Sequence, residues 1–300
     1  MYMKNLIEYI KEAEDKKIAI GHFNVSNLET LHGVILGAQR LSEKTGIQIP
    51  LLIGVSEGEE KFFGIKEISA IIESYKKNNL PIFLNADHHY SFETVKNAID
   101  NNFDSVVIDG ASLSMDENIS LTKKCIEYAK EFESKNNKRV LIEAEIGFIG
   151  KSSKILDKVP EGVSEETKTK TEDAVYFVEQ TGIDLLAPSV GNIHGMVKGG
   201  NPKIDIERIS KIKKETKIPL VLHGGSGITD EEFIKAIESG ISIIHINTEI
   251  RIAYKEALKK SLNDSGEEIA PYKYLNESIE AVALVVEKRL ELFNKNLFDK

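Results

Sequence analysis

Seven histidines are spread along the chain, and His88, His194 and His223 stand where histidines do chemistry. Each lies at or just past the end of an apolar run, and two are followed at once by glycine, as His194-Gly195 and His223-Gly224. A lone histidine in such a place is more often a buried, hydrogen-bonded residue than a ligand. Three at the ends of separate apolar runs form a pattern that can converge on one metal ion. Coordination by three imidazoles leaves a position open for substrate, the catalytic rather than the structural arrangement for zinc.

Carboxylates accompany them. Asp87 directly precedes His88 and has two readings, an acceptor that orients a histidine or a general acid and base at the metal. Glu145 could add a ligand, and Glu143, two residues earlier, could equally pair with a basic neighbour. Asp109 either binds a cation or caps the segment that follows it. A second set suits an anion: Gly195, Lys198, Gly224, Gly225 and Ser226, with the pair Asn247-Thr248. Glycines let backbone N–H groups turn toward a phosphate, although the same residues also make ordinary tight turns.

These residues need a frame that brings their segments together. Apolar runs at Ile18–Val25, Ile49–Val55, Pro81–Ala86, Ser105–Ile108, Arg139–Ala144, Asp184–Ala187, Ile218–Leu222 and Ile241–Ile246 read as strands. Nearly all are followed by helical periodicity, over Leu28–Lys44, Lys66–Lys77, Phe92–Asn101, Asp116–Lys135, Glu172–Thr181, Asp205–Thr216, Asp230–Ser239 and Glu249–Leu262. Strand-then-helix units at this spacing make parallel crossovers. An α/β fold follows, a (β/α)8 TIM barrel occupying residues 1–300 as one domain, with additional helices at Met1–Lys17 and around 275–293. An open doubly wound sheet fits less well, because polar residues follow nearly every strand and no glycine-rich dinucleotide fingerprint follows the first. The tail helix, Leu275–Phe293, is expected to cover the barrel bottom or to reach a neighbouring subunit. The polar stretch Ile146–Lys170 reads as a loop without periodicity, and a loop of about 25 residues inside a compact fold is usually functional.

Composition narrows the partners. With 39 basic and 48 acidic residues the net charge is -9, which argues against nucleic acid and anionic membranes. The single cysteine, Cys125, cannot form an intramolecular disulfide and fits a reducing, cytoplasmic setting. Neither a signal peptide nor a membrane-spanning run is read from the sequence.

Taken together, the segments GHFNVSNLE, LNADH, SVVIDGA, IEAEIGFIG, GIDLLAPSVGNIHG, PLVLHGGSGI and TEIRIA resemble the class II, metal-dependent fructose-bisphosphate or tagatose-bisphosphate aldolases, in that family's order, from about Lys4 to Phe293. The resemblance implies a glycolytic or gluconeogenic lyase. It would reversibly cleave fructose 1,6-bisphosphate to dihydroxyacetone phosphate and glyceraldehyde 3-phosphate. It implies zinc on His88, His194 and His223, with Glu145 able to join, polarising the ketone and stabilising the enediolate. Asp87 would move the proton of the hydroxyl that becomes the aldehyde. Gly195, Gly224, Ser226 and Thr248, with Ser56 and Asn24 or Asn27, would hold substrate and its ketone-side phosphate, near a monovalent cation, Na+ or K+. A homodimer or larger homo-oligomer is also implied.

Departures from the pattern concern substrate more than metal. His89 stands where the family has glycine, and His245 stands where it has asparagine, able to polarise or to carry a proton. Lys151, Ser152 and Ser153 occupy the place of a loop glutamate, leaving Asp157, Glu161, Glu165 and Glu166 as nearby acids. Ala270-Pro271-Tyr272 replaces a segment whose arginine reaches a neighbour's distal phosphate, a role open to Lys273. A metal aldolase for another ketose phosphate and a non-catalytic metal-binding barrel are the competing readings. A Schiff-base aldolase is disfavoured, since the inner strands lack lysine.

Overall fold

The computed structural model describes residues 4–150 and 153–298. Met1, Lys151 and Ser152, which the expectations above touch, lie outside the described residues. Ten strands are described: β1 Ile20–Asn24, β2 Leu51–Ser56, β3 Ile82–His89, β4 Ser105–Ile108, β5 Leu141–Ile146, β6 Ile155–Leu156, β7 Leu185–Pro188, β8 Met196–Val197, β9 Leu220–Leu222 and β10 Ile241–Ile246. Eight close into a barrel in the order β1-β10-β9-β7-β5-β4-β3-β2, every pairing parallel. The (β/α)8 barrel is thus formed, with helices between successive strands. Several helices begin where the sequence supplies a capping oxygen: the side chains of Asn27, Ser91, Ser114 and Thr229 accept the N–H three residues on.

Two differences from expectation bear on the site. The stretch 146–170 is not without regular structure: Ile155–Leu156 pairs with Met196–Val197 as a small parallel sheet. The loops beyond β5 and β7 leave the barrel at the same end, and this pairing satisfies backbone groups of both. β3 runs past Ala86 to His89 with a register shift against β4, and His88 there has φ +51°.

Alternate residues of a strand face opposite sides, and the barrel interior is stacked accordingly. The lowest layer is apolar, with Ile20, Leu52, Phe83, Leu141, Leu185, Val221 and Ile243 packed on Leu6, Ile10 and Ala13 of the helix Leu6–Lys16. The N-terminal helix therefore closes the barrel bottom. The tail helix Asn276–Phe293 packs instead on the barrel flank, against the helices Leu28–Thr45 and Thr248–Asp264. Gly37 makes that contact possible, because a Cβ there would lie 2.6 Å from the Ala283 carbonyl oxygen. Gly37→Val is expected to lower stability by about 1–3 kcal/mol by overpacking this seam, read as a lower urea midpoint with unchanged m value.

Above the apolar floor the interior becomes polar: His22, Asn85, Ser105, Glu143 and His245 are all buried there, where barrels of this kind usually carry branched aliphatics.

Candidate active site

His88 on β3, His194 after β7 and His223 after β9 meet at the C-terminal mouth of the barrel, each offering one ring nitrogen within a common 4.8 Å. The ring centroids of His194 and His223 lie 4.7 and 4.8 Å from that of His88. Each ring has one nitrogen held by an acceptor and the other left toward the centre. His88 Nδ1 is 2.9 Å from Asp109 Oδ2, His194 Nδ1 is 2.8 Å from the Gly150 carbonyl oxygen, and His223 Nε2 is 2.6 Å from Glu143 Oε1. The remaining His88 Nε2 and His223 Nδ1 face one another at 3.1 Å. An acceptor behind each imidazole is the arrangement that fixes the tautomer of a metal-bound histidine. Three such imidazoles, with the buried and unpartnered Glu145 Oε2 3.3 Å from His223 Nδ1 and 3.6 Å from His88 Nδ1, fit zinc with a position open.

The same carboxylates shape the protonation of the group. Burial alone would lower His88, but Asp87, Asp109 and Glu145 outweigh it and raise it to about 9. His223 likewise overcomes burial through Glu143 and Glu145 and stands well above its ordinary value. His194, buried and beside the other two rings, falls to about 3. Burial raises Glu145, and His223 and His88 pull it back only in part. Glu143→Gln is expected to weaken zinc binding about 10–100-fold, measurable by competition with a chelating dye.

Asp87 and His88 are consecutive, so a regular strand would turn them to opposite faces. The left-handed backbone at His88, next to the register shift, lets both look into the mouth. Strain of this kind is held at sites where it serves a purpose. Asn24 Nδ2 donates to Asp87 Oδ2 at 2.8 Å, and His245 Nδ1 stands 3.4 Å from Asp87 Oδ1. Burial would raise Asp87, yet His88, His245 and His22 hold its carboxyl well below the usual range. His245 moves the other way, driven well below its ordinary value by burial, then by His22 and His223. His22, Asp87 and His245 also lie close enough to suggest a second metal group. The parallel stack of His22 and His245, with centroids 3.5 Å apart at 7°, speaks against one, since in-plane lone pairs of parallel rings cannot meet at one ion.

A cavity of about 290 Å³ opens above these residues. Gly195, Gly224, Ser226, Asn247 and Thr248 are among the residues that line it, a set whose chemistry suits an anion. Gly224 must be glycine, with φ +61° and a would-be Cβ 2.1 Å from the Ile193 carbonyl oxygen. Thr248 opens the helix Thr248–Asp264, whose cap residue Asn247 makes no side-chain capping bond. The N–H of Glu249 in its first turn donates instead to Ser226 Oγ at 3.2 Å, which holds that hydroxyl at a helix N-terminus of the kind that suits an anion. Gly225 stands behind these residues, donating its N–H to the His245 carbonyl oxygen at 2.9 Å. Lys198 is on the exposed surface, paired with Asp157 at 2.6 Å, and does not line the cavity.

The lining also includes Asn24, Ser56, Glu57, Tyr90 and Arg251, of which Arg251 lies on the same helix as Thr248. Arg251 escaped the sequence reading; its Nη2 is 2.6 Å from Glu59 Oε1. The buried Glu59 also accepts from Asn24 Nδ2 and Ser56 Oγ, so it ties these residues into one rim. Arg289 was likewise unforeseen. From the tail helix it grips Glu249 through two nitrogens at 2.8 Å, and Glu249 accepts the Gly227 N–H at 2.9 Å, bracing the glycine turn from behind. Arg251 lies within the TEIRIA segment and was findable there; Arg289 had no local signal.

Other expected residues are elsewhere. Asn27 caps its helix and donates to Tyr254. His89 is buried beside Glu60, Nε2 to Oε1 3.0 Å. Of the loop after β5, Gly150 and Ser153 reach the cavity among the described residues, whereas Asp157, Glu161, Glu165 and Glu166 do not line it. Tyr272 is exposed, and Lys273 pairs with Glu268.

Comparison with known proteins agrees with this architecture. The sequence profile described as "Fructose-bisphosphate aldolase class-II" matches residues 4–296. The chain is 34% identical over 297 residues to a fructose-bisphosphate aldolase of Staphylococcus aureus, covering 98% of each chain. It is 34% identical over 300 residues to the fructose-bisphosphate aldolase of Geobacillus stearothermophilus, covering 99% of this chain and 98% of the other. Its fold superposes on the crystal structure of the YdjI aldolase of Escherichia coli K12 with a TM-score of 0.80, 26% identity and full coverage of both chains. With profile and relatives each spanning nearly the whole length, this protein belongs to the class II fructose-bisphosphate aldolase family.

Proposed function

We propose that this aldolase, a carbon–carbon lyase, is zinc-dependent and reversibly cleaves fructose 1,6-bisphosphate to dihydroxyacetone phosphate and glyceraldehyde 3-phosphate. The observation that carries the reading is the group of three imidazoles, each with one nitrogen tied back and the other turned inward, beside a cavity whose glycine-containing lining suits an anion. His88, His194 and His223 would hold zinc, with Glu145 in reach and Asp109 and Glu143 orienting the rings. When bound, zinc would polarise the substrate ketone and spread the charge left by bond cleavage. Asp87 takes the proton of the hydroxyl that becomes the aldehyde and returns it in condensation, steadied by Asn24 and His245. Gly195, Gly224, Ser226, Asn247 and Thr248 receive the ketone-side phosphate, with Na+ or K+ beside it. Ser56 and Arg251, which also line the cavity, are suited to further anionic oxygens of the substrate. A cytoplasmic homo-oligomer, dimeric or larger, is part of the same proposal.

A second reading is favoured by Tyr272, exposed at the segment where an arginine would reach a distal phosphate. In it the substrate is another ketose phosphate, tagatose 1,6-bisphosphate among them. A coupled assay of triose phosphate release from fructose 1,6-bisphosphate, tagatose 1,6-bisphosphate and fructose 1-phosphate separates the two. Fastest turnover of fructose 1,6-bisphosphate is expected; preference for another ketose supports the second reading, and silence on all three in zinc-loaded protein removes both.

A further inference from the structure

We propose that His22 is a positioning residue for the reaction, holding His245 in the one orientation that sets its Nδ1 against Asp87. The inference rests on the reading of Asp87 as the group that moves the substrate proton. His22 lies on β1 and His245 on β10 at paired positions of neighbouring parallel strands, so their rings lie face to face, 3.5 Å apart and within 7° of parallel. His22 is fully buried and lies below the cavity rather than among the residues that line it.

Its ring has nowhere to move. Against it is the backbone of β2 at Gly54, where a Cβ would come within 2.1 Å of His22 Cε1; any larger residue there would drive the ring out. Its edge is held as well. Ser105 Oγ accepts from Asn85 Nδ2 at 2.7 Å, which turns the Asn85 carbonyl oxygen toward His22 Nε2 at 3.1 Å. Asn85 Oδ1 can only accept, so Nε2 carries the proton and donates. A line of side chains from β4 through β3 to β1 thus fixes one imidazole plane deep in the barrel.

His245 takes its orientation from that plane. His223 stacks against it at 4.0 Å and 21°, so His245 is confined between His22 and His223. Confinement between flat rings leaves His245 only motion within its own plane, and its Nδ1 stands 3.4 Å from Asp87 Oδ1 while Asn24 holds Oδ2. Asp87 is steered from two sides. Remove the His22 ring and His245 can tilt into the space left, releasing one of the two restraints on the carboxylate. Misplacement by about an ångström costs on the order of a hundredfold in rate.

The test is a double-mutant cycle on the zinc-loaded full chain. His22→Ala is expected to lower kcat for ketose-bisphosphate cleavage about ten- to a hundredfold, with KM and bound zinc unchanged. In a His245→Ala background the same substitution should have no further effect, because the ring it steers is gone. Asn85→Ala, which frees only the edge of His22, should show the same pattern at smaller amplitude and serves if His22→Ala does not fold. Full kcat in both His22→Ala and Asn85→Ala overturns the inference, as does an equal loss in both backgrounds, which would mark a merely structural role. If Asp87→Asn keeps parental activity, the underlying reading falls and this inference with it. If Asp87→Asn is inactive while His22→Ala is not, only the inference falls.

Discussion

Asp87→Asn is expected to lower kcat for aldol cleavage by about 10²–10⁴-fold while leaving bound zinc and KM near their parental values. Asparagine keeps the size of the side chain and its contact with Asn24, and removes only the ability to take a proton. Cleavage requires a base at the hydroxyl, and Asp87 is suited to be one. Burial works against its charge, but His88, His245 and His22 hold its carboxyl well below the ordinary range. A group whose pKa is depressed stays ionised across neutral pH and is lost only as pH falls through that lowered value. The acid limb of kcat against pH should therefore lie below the usual carboxylate range in the parent and be absent in the variant. Measured kcat, KM and zinc content of the two proteins decide the matter; a variant that cleaves at the parental rate assigns the proton to another residue.

Removing the metal should have the other large effect. Treatment with a chelator is expected to bring cleavage to the assay background, and stoichiometric zinc to restore it. The direction of the pH dependence follows from the histidines. His88 is raised to about 9 and His223 well above its ordinary value; their inner nitrogens, 3.1 Å apart, have room for one proton between them, which the pair holds at neutral pH in the chelated protein. A metal ligand must be a neutral imidazole, so zinc has to displace that proton. Apparent zinc affinity should then climb as pH rises from 7 toward 9, and binding at pH 7 should release a proton. Calorimetry in two buffers of different ionisation enthalpy reads that release directly. Equal heats in both buffers would mean that the carboxylates do not hold the histidine pair charged.

Much of this site is legible in the sequence because its chemistry sits at strand ends, where apolar runs stop and unusual residues begin. His88, His194 and His223 are of that kind, as are Asp87 and the glycines around Ser226. The eight barrel strands and the flanking helices follow from periodicity, and the capping residues Asn27, Ser91, Ser114 and Thr229 mark helix starts by local hydrogen bonding alone. The end of β3 was misplaced because a strand interrupted at His88 by a left-handed residue has no signature in residue types. The pairing of Ile155–Leu156 with Met196–Val197 was missed because two-residue strands make no periodicity and their partner is remote in the chain.

By itself, then, the order of residue types determined an eightfold α/β barrel and singled out three histidines, an acid beside one of them and a set of glycines, all at strand ends. Which nitrogen of each ring faces inward, and which acceptor stands behind it, was decided only by the fold, because those partners come from other strands: Asp109 for His88, Gly150 for His194, Glu143 for His223. The same is true of Lys198, drawn to Asp157 on the surface, and of Arg251 and Arg289, whose roles depend on Glu59 and Glu249. It holds most of all for His22, an unremarked residue of an apolar run until closure of the barrel lays it against His245. Closing the barrel pairs β1 with β10, strands from opposite ends of the chain, and contacts between residues so far apart in sequence leave no local pattern to read.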